Sequence, residues 1–266
     1  VHIVEMMDRI LPNEDHEVSE EVEKNFKKSG IRITKGVKVS KIQSMKHNAK
    51  VFLEKKASDE IIKAEKVLLA VGVTGNINNL GLDDLGIETE AGAIKTDNFN
   101  RTNIENIYAI GDVCGPPWLA HVASAQGHLA AEHSAGLNVH PIDYSNIPGC
   151  TYCQPQVGSL GMTEEQALSS GFKVKVGRFS FQASGKAMAV GDTVGFVKLI
   201  FDEKYGELLG AHIVGSEATE MIAELGMAKA LEGTWDDLSM TVHAHPTLSE
   251  AIMEAAMDAQ GHSIHQ

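Results

Sequence analysis

The segment His243-Ala244-His245-Pro246-Thr247-Leu248-Ser249-Glu250 places two imidazoles, a proline and a carboxylate within eight residues. Histidine is the side chain suited to taking and returning a proton near neutral pH. Pro246 restricts the backbone of His245. Glu250, five residues on and in the first turn of an expected helix, can reach back to accept a hydrogen bond from one ring nitrogen. Such a bond fixes the tautomer and makes the other nitrogen the better base. His245 is the candidate acid–base group and Glu250 its orienter. Two other readings stay open on chemistry alone. Thr247 to Glu250 is also a capping box, in which Glu250 only caps its helix, and His243-x-His245 is a metal pair with no third ligand at a suitable spacing. No metal site is assigned.

Two further stretches carry groups that hold ligands. Tyr108-Ala109-Ile110-Gly111-Asp112 reads as a buried strand delivering a glycine and then an acid. The glycine allows close backbone approach, and the acid can meet a ligand hydroxyl or serve as a turn residue. A helix N-terminus soon after it would face an electron-rich ligand atom. Glu5 ends the strand-like run Val1-His2-Ile3-Val4 and can accept from ribose hydroxyls, or be a solvated strand-end carboxylate. Cys150-Thr151-Tyr152-Cys153 has the spacing of a redox or zinc motif but stands alone. It does not open a helix, and alternation along a strand puts its two thiols on opposite faces. It is read as inert, as is Cys114.

The elements that must position these groups follow from periodicity. Val18, Val22 and Phe26 recur every four residues, which predicts a helix over 15–29 with Gly30 past its end. Strands are expected over 31–34, 37–42, 51–53 and 66–71, the last apolar enough to be buried on both faces. A strand over 106–112 and an Ala-rich helix over 119–135 follow, then a linker near 136–148. Beyond it, strands over 173–181, 194–201 and 208–214 precede helices over 217–231, 235–240 and 248–259. The fold class is therefore α/β plus α+β: a truncated dinucleotide-binding (Rossmann-like) domain over 1–72, a central region over 73–146, and an α+β domain over 147–266.

Composition narrows the function classes. The 266 residues carry a net charge of −13 with no basic run, which argues against a nucleic-acid partner. No apolar run reaches the ~20 residues of a membrane helix, so no membrane association is expected. Three cysteines fit a reducing compartment, hence a cytoplasmic or organelle-matrix setting. The strand-like start at Val1 predicts a chain beginning further upstream.

Together, in this order, these stretches resemble the C-terminal part of the pyridine nucleotide–disulfide oxidoreductase family, on the side of the dehydrogenases that reoxidise dihydrolipoamide. Tyr108 to Asp112 is similar to the family's second flavin motif, and Leu119-Ala120-His121 to the segment after it. His243 to Glu250 and Gly210-Ala211-His212-Ile213-Val214-Gly215 resemble its dimer-interface domain. The resemblance implies that Gly111, Asp112, Leu119, Ala120 and His121 contact FAD, and that Glu5, Val39 and Gly72 line an NAD site. It also implies that His245 and Glu250 serve the dithiol of the other subunit of a homodimer, whose further partner is a lipoyl-bearing subunit of a 2-oxo-acid dehydrogenase complex. The 266 residues contain neither the family's Gly-rich phosphate motif nor its C-x-x-x-x-C redox pair, so the chain alone is expected to be inactive. Gly72-Val73-Thr74-Gly75-Asn76 also departs from the family's Arg-containing turn there. The alternatives are a non-catalytic dimerisation module and a sister reductase of the glutathione type. Acidic Glu5, which disfavours a 2′-phosphate, and Leu248-Ser249-Glu250 weigh against the sister reductase.

Overall fold

The computed structural model describes residues 1–54 and 60–265. In chain order the elements are β1 (His2–Val4), α1 (His16–Lys28), β2 (Arg32–Thr34), β3 (Lys38–Ser44), β4 (Ala49–Glu54) and β5 (Glu60–Ala64). Next come α2 (Leu82–Leu85), β6 (Thr89–Glu90), β7 (Ala93–Ile94) and α3 (Ala120–Ser134). The last part holds β8 (Gly149–Thr151), β9 (Gln156–Gly161), α4 (Glu164–Ser169), β10 (Val174–Ser180) and α5 (Gly185–Val190). It closes with β11 (Phe196–Asp202), β12 (Leu208–Gly215), α6 (Ala218–Ala230), α7 (Trp235–Met240) and α8 (Glu250–Ala259). Among the described residues no helix is long and apolar enough to cross a membrane.

Val1–Val67 and Ser145–Gln266 form one compact unit. Its first part is a βαβ turn: β1 and β2 pair in parallel, with Ile3 opposite Ile33, and α1 makes the crossover. Helix α1 starts where Asp15 accepts the Glu17 N–H, and Gly30, at φ +80°, lets the chain leave it. Its apolar stripe buries Val18 and Val22 against Ile10, Val157 and Val214, so the first segment packs on the C-terminal sheet. The β3–β4–β5 meander is antiparallel, with a register shift between Val39 and Lys41.

The C-terminal part of this unit is a five-stranded antiparallel sheet in the order β10–β11–β12–β9–β8. β12 is buried along its whole length. Helix α6 covers β9 and β12, α8 covers β10 and β11, and Leu199, Ile213, Leu225 and Ile252 meet in one core. Burying each such side chain contributes about 1.5–3 kcal/mol. A Cβ on Gly177 would run into the Ala255 carbonyl, so only glycine lets α8 lie this close to β10. That contact fixes the axis of the helix that opens with Glu250. Strand β9 and helices α4 and α5 are additional to the elements that periodicity predicts. The signal for α4 was present in Thr163-Glu164-Glu165-Gln166, whose side chains form a capping box.

An ionic network joins α1 to this sheet. Lys198, 2% exposed, donates to Asp15 at 2.9 Å and to Glu17 at 2.7 Å and pairs with Glu164 at 2.8 Å. The Arg178 guanidinium donates to Glu17 and Glu164 at 2.6 and 3.1 Å. Chiefly through its bonds from Arg178, and then from Lys198, the Glu17 carboxyl titrates at about 2 instead of 4.5. A carboxyl depressed on folding stabilises fully above its unfolded value, and that share is lost as pH falls through the folded one. We therefore expect the urea midpoint of unfolding to drop between about pH 4.5 and 2, and Glu17→Gln to remove part of that slope. An unchanged slope in the variant would refute this role for Glu17.

Leu68–Tyr144 forms the second unit. Two expected strands do not form here. Residues 66–71 make no ladder, and Leu68 and Val71 stand 89% and 92% exposed. A central strand needs neighbours on its edges and layers on its faces, and none of the described strands pairs with this run. Over 106–112 only Tyr108 makes a bridge, to Arg101, and Gly111–Cys114 closes into a 3₁₀ turn. Packing comes instead from Ile87, Ile94 and Ala109, and from His133, which stacks on Phe99 and bonds the Tyr108 hydroxyl at 2.8 Å. The helix expected over 119–135 forms as α3.

Candidate active site

His245 and Glu250 meet in the first unit. α7 ends at Met240, and a loop over 241–249 runs to α8, whose first residue is Glu250. The His245–Pro246 peptide is cis. His245 Nδ1 lies 2.9 Å from Glu250 Oε1, and the Thr247 N–H donates to Glu250 Oε2 at 2.8 Å. The carboxylate thus orients the imidazole with one oxygen and caps its own helix with the other. The two readings that compete in the sequence are both realised, because a carboxylate has two acceptor atoms. Burial pushes the Glu250 carboxyl up, but the bonds from Thr247 and His245, with the charge of His245 and His243 nearby, hold it below its ordinary value. An ionised Glu250 only accepts, so Nδ1 carries a proton, and in the neutral ring Nε2 presents its lone pair. The His245 side chain is 79% exposed, which leaves the ring accessible. An oriented imidazole with a fixed tautomer and an accessible face is an arrangement that can take and return a proton.

His243 is engaged elsewhere, on Glu224 of α6 at 2.7 Å and the Thr241 carbonyl at 2.9 Å. Among the described residues no cluster of His, Cys, Asp and Glu is placed to hold a metal ion. Glu224 had no signal in the sequence, since it lies nineteen residues from His243. A groove of about 450 Å³ in this unit runs past Glu17, Arg178, Phe196 and His265 and does not reach His245.

The candidate flavin contacts cluster in the second unit. The Gly111 N–H donates to Gln126 Oε1 at 2.7 Å, tying the 3₁₀ turn to α3. Gly111 sits at φ +73°, where a side chain is strained, and a Cβ there would press on Ala123. Asp112 follows, exposed. Leu119 is the N-cap of α3 and makes no side-chain cap bond. An exposed carboxylate, a glycine at positive φ and the N-terminus of a fifteen-residue helix form a donor–acceptor set that can meet a polyhydroxyl chain and an electron-rich ring edge.

The candidate nucleotide contacts are divided between the units. Glu5 follows β1 and accepts the Met7 N–H at 2.8 Å with Oε1. Val39 is exposed on β3, and the Val37 N–H donates to the Glu5 carbonyl, so the start of β3 runs beside Glu5. Gly72 belongs to the second unit, at φ +112° with open space on its Cβ side. Cys150 packs against the main core and Cys153 against the Ile10–Val18 cluster. Burial pushes both thiols up and moves Cys114 to about 11. None of the three is a thiolate at neutral pH.

Residues 1–127 match the model of the pyridine nucleotide-disulphide oxidoreductases, and residues 147–256 match that family's dimerisation domain. The chain belongs to the pyridine nucleotide-disulphide oxidoreductase family. It is similar to the dihydrolipoyl dehydrogenase of Rhizobium etli, 48% identical over 98% of this chain and 55% of the relative. It is similar also to that of Bacillus subtilis, 44% identical over 100% of this chain and 56% of the relative. Among solved structures, LpdA of Mycobacterium tuberculosis superposes with a TM-score of 0.88 at 26% identity, covering 96% of this chain and 55% of that one. The chain thus spans little more than half the length of the relatives it matches.

Proposed function

We propose that the chain is the C-terminal part of a dihydrolipoamide dehydrogenase and supplies its acid–base group. The observation that carries this is the 2.9 Å bond between His245 Nδ1 and Glu250 Oε1, with the ring left accessible. In the intact homodimer, oxidation of dihydrolipoamide to the cyclic disulfide releases two electrons and two protons to a disulfide of the enzyme, which becomes a dithiol. His245 Nε2 takes up a proton as a thiol becomes the attacking thiolate, and Glu250 holds the resulting imidazolium in place. FAD, when bound, supplies the two-electron step between the dithiol and NAD⁺. Gly111, Asp112, Leu119, Ala120 and His121 would hold the flavin's ribitol and ring edge, and Glu5, Val39 and Gly72 the NAD site. We assign the dimer contact to residues 147–256, the stretch matching the dimerisation-domain model, and the electron donor to a lipoyl-bearing subunit. The domain division proposed is 1–72, 73–146 and 147–266.

The test compares two proteins in one assay, NADH formation from dihydrolipoamide and NAD⁺ followed by absorbance. The full-length protein is expected to turn over, and the 266-residue chain alone is expected to give no rate above the buffer. A full-length protein that reduces oxidised glutathione and not lipoamide would overturn the substrate. Turnover by the chain alone would overturn the requirement for a second disulfide-bearing part.

A further inference from the structure

The loop that carries His245 has little of its own to hold it. Over 241–246 every residue is exposed except His243. Val242 is 95% exposed, whereas the His243 side chain is only 5% exposed. Both nitrogens of that buried ring are engaged. Nδ1 donates to the Thr241 carbonyl at 2.9 Å, and Nε2 lies 2.7 Å from Glu224 Oε1 on α6. A carbonyl only accepts, so Nδ1 carries a proton, and the short contact to Glu224 needs a second proton between imidazole and carboxylate. The Thr241 hydroxyl in turn donates to the Asp237 carbonyl of α7. On the other side, Thr247 Oγ1 donates to the Ala244 carbonyl and its N–H to Glu250. Two histidine–carboxylate pairs therefore flank Ala244, one anchored on α6 and one on α8.

Resting on the assignment of His245 above, we propose that Glu224 and His243 are positioning residues. They clamp the loop to α6 so that His245 Nε2 is held at the angle the thiol requires. Glu250 sets the tautomer and holds Nδ1 through one bond, and the ring, 79% exposed in this chain by itself, takes the rest of its placement from the loop backbone. Its direction is inherited from the backbone two residues upstream, and that backbone is tethered by the His243 ring. A charge-assisted bond at this anchor is the strong kind, and small displacements of a catalytic group are costly.

The test uses the full-length holoenzyme with Glu224→Gln and, separately, His243→Gln. Two reactions are measured: dihydrolipoamide with NAD⁺ over a pH range, and NADH with an artificial acceptor that takes electrons from the flavin and bypasses the dithiol. Positioning predicts that kcat of the dithiol reaction falls about tenfold, with its pH profile displaced and the KM for NAD⁺ unchanged. The acceptor reaction, flavin content and dimer should persist. An unchanged dithiol kcat and pH profile in both variants overturns the proposal. So does parallel loss of both reactions with flavin and dimer, which would make the pair a structural clamp alone. His245→Gln run alongside separates the two claims. If that variant keeps its dithiol turnover, the assignment of His245 has failed, whatever Glu224 does.

Discussion

His245→Gln in the full-length holoenzyme is expected to slow NAD⁺ reduction by dihydrolipoamide about 10²- to 10⁴-fold, the usual worth of a positioned acid–base group. Glutamine keeps a polar side chain of similar reach but cannot accept and hold a thiol proton. The loss should lie in kcat and kcat/KM together, because the proton is transferred only in the reacting complex. Fold and stability should change little, since the ring is 79% exposed and its one protein bond is to Glu250. Glu250→Gln should do less, since an amide still orients the ring but no longer balances an imidazolium. Steady-state rates from NADH absorbance read the effect. A loss smaller than about threefold in His245→Gln would remove this residue from the chemistry.

Lys198→Ala carries the largest expected effect on stability. Burial alone would drive the Lys198 ammonium toward neutrality, but the bonds to Glu164, Glu17 and Asp15 raise its pKa above the ordinary value. Burial likewise opposes ionisation of Asp15, and the Lys198 bond overcomes it. Removing the cation leaves Asp15, buried, and the carboxylates of Glu17 and Glu164 facing one another with Arg178 as the remaining neighbour. Breaking a buried pair from one side costs about 3–5 kcal/mol, because the partner's charge stays buried without compensation. Chemical denaturation at neutral pH should show this as a lower midpoint. Lys198→Met combined with Asp15→Asn should recover much of the loss, since an uncharged replacement of both sides removes the stranded charge. A single variant with the parent's midpoint would show that the network contributes nothing to stability. Because the network ties α1 to β10 and β11, the loss should also loosen the first segment on the sheet.

How much of this was legible beforehand depends on the range of each interaction. Helix α1 was readable from Val18, Val22 and Phe26, since a four-residue spacing and an Asp15 cap are local facts. Strands β10, β11 and β12 and helices α6, α7 and α8 were readable within a few residues for the same reason. The His245–Glu250 pair spans five residues, short enough for spacing, Pro246 and a helix start to bring the groups together. What the sequence left undivided, capping against orienting, was settled by geometry: the two oxygens of one carboxylate serve both.

Tertiary structure alone decided the rest. Whether the apolar run over 66–71 is a strand depends on neighbours, and its residues cannot announce that no described strand pairs with them. The partner of His243 lies a whole helix away, on α6. Lys198 finds Asp15 across 183 residues, and nothing in either residue's surroundings along the chain marks the other. The physical reason is the same throughout. Backbone periodicity and turn chemistry act over a few residues and are written in order along the chain, so they determined most of the elements and the pairing of His245 with Glu250. Burial, the anchoring of a loop and the pairing of buried charges depend on which surfaces meet, and those are set only when the elements pack.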